Sequence, residues 1–252
     1  MQRFVFSAVI YEKINEMKKI AFILSSALFF TAVMNASAQQ TRTRQVSGFH
    51  AIASGGSFDV HVKLDGNESV KVTAEASIID EIETVVEGGT LKIRFKDHHR
   101  WYRDDSENHG KIEVDVEAKS LDALTNSGSG FLRVDGMISA DNFRATLSGS
   151  GDMSASVKSG DVHAVISGSG SIKLSGSSGD ADFVITGSGE MDCKHLRTSS
   201  VNATVTGSGN IYVEADKSIV ARITGSGGVI YTGSASNIIA HTTGSGRVSR
   251  AD

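Results

Sequence analysis

Seven copies of Gly-Ser-Gly punctuate the second half of this chain, beginning at Gly128, Gly149, Gly168, Gly187, Gly207, Gly225 and Gly244. Their spacings are 21, 19, 19, 20, 18 and 19 residues. A near-constant period of this length marks a solenoid, in which each coil buries its apolar side on its neighbours. The period is far too long for collagen. Of the 27 glycines, 20 lie beyond residue 126, so the repeat accounts for most of them.

Aligning the copies shows which positions face inward. Four residues before each motif stand Leu124, Ala145, Ala164, Phe183, Ala203, Ala221 and Ala240, and two before it Asn126, Leu147, Ile166, Ile185, Val205, Ile223 and Thr242. Two residues after it stand Leu132, Met153, Ile172, Met191, Ile211, Val229 and Val248, and four after it Val134, Ala155, Leu174, Cys193, Val213, Tyr231 and Arg250. Apolar and polar positions alternate, so each coil carries two period-2 strands flanking a glycine turn. Two columns are wholly apolar, and the other two weaken only in the terminal copies, as capping coils do. Glycine suits a corner that every coil turns at the same place, because it accepts positive φ and close backbone approach. The residue before each motif is always Ser or Thr, and stacking at about 4.8 Å predicts hydroxyl ladders along this edge.

The preceding stretch is also strand-rich. Residues 57–63, 69–73, 90–95 and 111–116 alternate, with turn signals at Asp65-Gly66-Asn67 and Glu87-Gly88-Gly89, and residues 76–82 have room for one helical turn. No linker separates this stretch from the repeats, since Leu121 and Leu124 lead straight into the first copy. The expected fold is all-β: a parallel β-helix-like solenoid with repeats of about 19 residues over 120–252, preceded by a less regular, strand-rich half over 39–119.

Residues 1–38 read as an address. Lys18 and Lys19 form a basic n-region, Ile20 to Val33 an apolar run of 14 residues, and Ala36-Ser37-Ala38 a small-x-small cleavage pattern. The run is short of the ~20 residues a membrane helix needs. Residues 1–16 are expected to reflect an upstream start, because Met17-Lys18-Lys19 is the better natural beginning. Cleavage after Ala38 moves the formal net charge from −4 to −6, a balance that excludes a strongly basic nucleic-acid binder. With 39% hydrophobic residues and no proline, the chain is neither a disordered nor a proline-rich segment. Cys193 is the single cysteine, so export brings no intramolecular disulfide. No cysteine follows the cleavage site for a lipid anchor, and no later segment is long enough to span a bilayer as a helix. The mature chain is expected in the periplasm or at the cell surface.

Residues 96–109 form the most unusual segment, read as a hairpin loop. It holds Trp101, the single tryptophan, with Tyr102 between Arg100 and Arg103. Loops on rigid scaffolds carry binding function, and these aromatics suit stacking on a sugar or a partner surface. His98, His99 and His109 are weaker metal candidates, because adjacent histidines lack the i, i+4 spacing of a helical zinc motif. No cofactor is expected. The Gly-Ser-Gly copies lack the lysine and strand–helix context of a phosphate loop, the nonapeptide pattern of calcium β-rolls and the Gly-x-Ser-x-Gly elbow of hydrolases. Asp152, Lys173, Glu190, Asp192 and Glu214 face outward after the turns. Glycoside hydrolysis needs two carboxylates about 5–9 Å apart, a spacing that any acidic ladder provides.

The run Val46-Ser47-Gly48-Phe49-His50-Ala51-Ile52, then Phe58-Asp59-Val60, then Leu91-Lys92-Ile93, followed by serial Ser-Gly-Ser-Gly turns, resembles the head GIN domain family over about residues 42–250. That family is described as putative autotransporter adhesins of Gram-negative bacteria. The resemblance implies a right-handed β-helix-like fold and a role in adhesion. It supplies no catalytic residues, and this chain lacks an evident C-terminal translocator barrel. The function expected is that of an exported, non-catalytic adhesin or envelope scaffold with a glycan, lipid or surface protein as partner. The alternatives are a polysaccharide lyase or hydrolase, and a self-assembling structural protein whose open last coil stacks on another copy as a homo-oligomer.

Overall fold

The computed structural model describes residues 39–96 and 110–251. Its regular structure is β throughout, with no helix among the described residues. The strands are β1 (Gln39–Arg44), β2 (Ala51–Gly55), β3 (Asp59–Leu64), β4 (Ser69–Glu75), β5 (Ile82–Glu87), β6 (Thr90–Phe95), β7 (Glu113–Ala118) and β8 (Ala123–Gly128). They continue with β9 (Phe131–Gly149), β10 (Asp152–Gly168), β11 (Ser171–Gly187), β12 (Glu190–Gly207), β13 (Asn210–Gly225), β14 (Gly228–Thr232), β15 (Asn237–Gly244) and β16 (Arg247–Arg250). The chain is a β-solenoid. Each of β9 to β13 runs from one Gly-Ser-Gly to the next, so a single bent strand supplies both arms of a coil, and successive coils pair in parallel.

The inward columns form the core. Leu132, Met153, Ile172, Met191, Ile211 and Val229 are buried, as are Leu124, Ala145, Ala164, Phe183, Ala203 and Ala221. Ala240 and Thr242 are exposed in the last coil. Asn126, the polar member of its column, is fully buried and donates through Nδ2 to the Gly130 carbonyl at 2.9 Å. Cys193 is enclosed in the same core, and burial pushes its thiol well above the ordinary value, so it stays protonated and inert.

The glycine corner is the edge along which the coils align. Gly128, Gly149, Gly168, Gly187, Gly207, Gly225 and Gly244 are register partners in series. Carbonyls here accept from the next coil: Gly149 O from the amides of Ser169 (3.0 Å) and Gly170 (3.1 Å), and Gly187 O from those of Ser208 (2.9 Å) and Gly209 (3.1 Å). At Gly187 φ is +124°, and a Cβ there would stand 2.3 Å from Gly168 O. Glycine is required by conformation and by space together.

The arms meet at a second bend, and differences in coil length are absorbed on this side. Coils of equal length, β10 and β11, pair without a slip. Where lengths differ, the register shifts between Ser154 and Ser156, Lys173 and Ser175, or Cys193 and Arg197. The Gly-Ser-Gly corner stays in step throughout.

The N-terminal strands join the stack out of chain order. β2 lies between β6 and β8 on one face, and β3 between β7 and β9 on the other, all parallel. Antiparallel strands then end the parallel ladder: β4 on β7 and β1 on β4 on one face, β5 on β6 on the other. At the far end β15 and β16 each have one partner strand, β13 and β14.

One local expectation needs correction. The Ser and Thr hydroxyls of the corner form no hydrogen bonds with one another among the described residues; they face solvent. Hydroxyls of neighbouring strands meet elsewhere, at Ser156–Ser175, 2.9 Å, and at Thr41–Thr73, 3.1 Å. The corner bends the strand away from its neighbour's side chains, whereas straight pleated strands bring them together. Residues 76–81 make a single turn, closed by Ile79 N donating to Glu75 O as in one turn of helix, and β5 follows before a helix can propagate.

Candidate binding faces of the solenoid

Outward side chains stand in rows across the coils, because parallel pairing in register repeats each position about 4.8 Å further on. The sheet containing the first arms runs β1-β4-β7-β3-β9-β10-β11-β12-β13-β14-β16. One of its outer rows reads Lys71, Asp115, His61, Arg133, Ser154, Lys173, Asp192, Tyr212 and Ile230. The adjacent outward column contains Phe131, Asp152, Ser171, Glu190 and Asn210.

Phe131 is the aromatic of that otherwise polar column. Its half-buried ring meets the His61 ring edge-on, with centroids 4.8 Å apart and planes at 78°. The Lys111 ammonium lies 6.0 Å from the ring centroid, near the limit for a cation–π contact. Glu113, 2.6 Å from Lys111 Nζ, and Asp59, 3.4 Å away, push that lysine's pKa up and hold it charged. A depression of about 480 Å³ opens beside the ring, lined by His61, Phe131, Arg133, Asp152, Ser154, Ser171 and Lys173 among others. Sequence reasoning missed Phe131, although its signal was present: an aromatic at a position where the other copies carry Asp152, Ser171, Glu190, Asn210, Gly228 and Arg247.

The second-arm face has its own groove, of about 370 Å³, along Asn142, Arg144, Asp161, His163, Asp180 and Asp182. His163 Nδ1 stands 2.9 Å from an Asp182 oxygen, and His50 Nδ1 pairs in the same way with Asp122. These pairs are substantially exposed and link neighbouring coils.

Of the outward charged residues read from the sequence, Asp192 is held by Lys194 at 3.3 Å and Lys173 at 3.9 Å. Asp152 and Glu190 stand on strands separated by one coil, with Ser171 between them in register. Among the described residues, the carboxyls whose titration the surroundings move are Asp65, lowered by the Asn67 amide, Glu68, lowered by Lys119, and Glu87, lowered by Lys92. All three are held as anions, the state of an ion-pair partner. A general acid working near neutral pH needs the opposite shift.

The leader reading over residues 1–38 lies outside the described residues, as do Arg100, Trp101, Tyr102, Arg103, His98, His99 and His109. The strands flanking residues 97–109 are described, and they are not a hairpin: β6 pairs with β2 and β5, β7 with β3 and β4. By register β6 and β7 are two arms of one coil. One coil further along, Gly56-Ser57 joins the corresponding arms β2 and β3. Phe95 packs against Phe58 there, with ring centroids 4.9 Å apart.

A family model described as "Putative auto-transporter adhesin, head GIN domain" matches residues 48–235. The structure is similar to a "putative adhesin" of Bacteroides fragilis NCTC 9343, with a TM-score of 0.77, 22% identity, and coverage of 86% of this chain and 98% of that one. It is also similar to a "putative lipid binding protein" of Parabacteroides distasonis ATCC 8503 (TM-score 0.69, 22% identity, 86% and 98% covered). A "putative adhesin" of Parabacteroides merdae ATCC 43184 follows (0.68, 20%, 86% and 98%). At these identities the likeness establishes the fold. A search of curated proteins finds no match.

Proposed function

The chain belongs to the head GIN domain family, and we propose that it is a non-catalytic binding module of a Gram-negative cell envelope, exported by its leader and displayed at the surface. The observation that carries this reading is the eleven-strand outer face, whose side chains stand in ordered rows on a rigid stack and border shallow, open depressions. Such a face suits an extended partner — a glycan chain, a lipid surface or a protein — better than an enclosed small substrate. The adhesin and lipid-binding labels of structurally similar proteins support the same class of role. Arg100, Trp101, Tyr102 and Arg103 belong to the proposed contact surface, since two aromatics between two arginines suit stacking on a sugar or a partner.

The test is protease treatment of intact and permeabilised cells, following the mature protein by antibody. Cleavage in intact cells, with a periplasmic control protected, is the expected result. Protection until permeabilisation would exclude direct adhesion and move the module to the periplasm. A Trp101→Ala chain, equally well folded, is expected to adhere less.

Self-assembly is a second reading, favoured by the edge at β15, where Ile238 and Ile239 are 38% and 43% exposed. An unpaired parallel edge with apolar side chains is a template for a second copy. Light scattering at micromolar concentration is expected to show an oligomer that Ile238→Lys returns to the monomer. A monomeric parent protein would remove this reading.

A further inference from the structure

We propose that the depression beside Phe131 is a subsite for a carboxylated pyranose, one residue of an acidic polysaccharide; the assignment rests on the binding-module reading above. Three features of the site converge on that chemistry. Phe131 offers an aromatic surface of the kind on which the C–H face of a sugar ring stacks, and His61 holds its ring in place. Asp152, the register partner of Phe131 on the next strand, makes no ion pair among the described residues, so its carboxylate is available to accept from sugar hydroxyls. Two residues further along their strands, Arg133 and Lys173 flank Ser154, one strand spacing to either side. Their backbone positions are two strand spacings, roughly 9–10 Å, apart, a gap that two long side chains can narrow by converging above the hydroxyl.

These cations are only weakly engaged by protein partners. Among the described residues Arg133 hydrogen-bonds Ser154 alone, Nε donating to Oγ at 3.4 Å, so its terminal nitrogens remain for a ligand. Lys173 is 3.9 Å from Asp192, a carboxylate that Lys194 approaches more closely at 3.3 Å. A carboxylate lying over Ser154 would receive charge-assisted hydrogen bonds from both sides. A neutral sugar would leave the cation pair unmatched, and a bare anion would make no use of Phe131 or Asp152. The chain as a whole carries a formal charge of −4, which repels acidic polymers at long range. Affinity for one must therefore come from local groups such as these.

Calorimetric titration of the mature protein tests the assignment, with hexagalacturonate, hexamannuronate and a hyaluronan hexasaccharide as probes and fully methyl-esterified hexagalacturonate as the neutral comparison. At least one acidic probe is expected to bind, and methyl-esterified hexagalacturonate at least about tenfold more weakly than its acid form. Phe131→Ala should weaken acid binding about tenfold. Arg133→Ala with Lys173→Ala should weaken it further and flatten its dependence on salt between ~50 and ~200 mM. All of these side chains reach solvent, so unchanged thermal melting certifies the variants as folded. Equal affinity for acid and ester would overturn the carboxylate pairing. Acid binding untouched by the substitutions would place the site elsewhere and overturn this assignment while leaving the binding module standing. No binding of any acidic probe would also overturn it, whereas the protease experiment fails or succeeds independently.

Discussion

Gly187→Ala is expected to cost at least about 3 kcal/mol of folding stability. Two penalties coincide at this residue. Its φ of +124° is strained for any L side chain, and an added Cβ would stand 2.3 Å from Gly168 O. That oxygen cannot step aside, because it accepts from the Ser188 amide at 3.0 Å in the corner ladder. Two companion substitutions separate the terms. Gly66→Ala meets the conformational penalty alone, with φ +88° and open space around the new carbon, and should cost about 1 kcal/mol. Gly189→Ala meets the steric one alone, with Gly170 O and Ile166 Cγ2 each 2.7 Å from the Cβ position. Urea unfolding of the three variants gives the ranking directly. Losses at Gly187 no larger than at Gly66 would show that close stacking is not what selects glycine at the corner.

Phe183→Ala is expected to cost about 3–5 kcal/mol. The ring is fully buried, and its register partners in the coils on either side are Ala164 and Ala203. The column thus holds one large side chain between two small ones, and deletion leaves a void that alanines cannot reach across. Combining Phe183→Ala with Ala203→Phe moves the same volume one coil along and should recover part of the loss, because cores tolerate rearrangement when total volume is kept. A loss below about 1 kcal/mol for the single variant would mean the column collapses freely and is not close-packed.

The inward columns were legible because two periodicities reinforce one another, alternation along the strand and recurrence of the coil. The buried positions within four residues of each Gly-Ser-Gly follow from aligning the glycines. Those nearer the second bend, such as Ile138, Val157, Leu196 and Ala215, fall outside the four columns. The N-terminal strands offered no such alignment. Their alternation marks them as strands, but placing β2 between β6 and β8 requires pairings between residues about 40 and 70 positions apart, which no local signal encodes. For the same reason residues 96–109 read as a hairpin loop when their flanking strands belong to two arms of a coil. The corner hydroxyls recur as regularly as the core residues, and regularity alone does not say whether neighbouring oxygens meet. Phe131 does not stand out by residue type, since phenylalanine is common in a core; against its own polar column it is the misfit. A site on a repeat protein is best sought where a copy departs from the rest.

The contrast between the two bends has a consequence for how such chains vary in length. One edge keeps strict step while the other takes up extra residues, so coil duplication is a translation of about 4.8 Å that leaves every existing contact intact. A lineage can lengthen its reach coil by coil without solving its fold again, and can decorate the slack edge along the way. The glycine edge tolerates no such tinkering wherever Gly-Ser-Gly stacks on Gly-Ser-Gly. Novelty in this architecture is admitted at one margin and at the ends, and the remaining margin is kept as the datum from which everything else is measured.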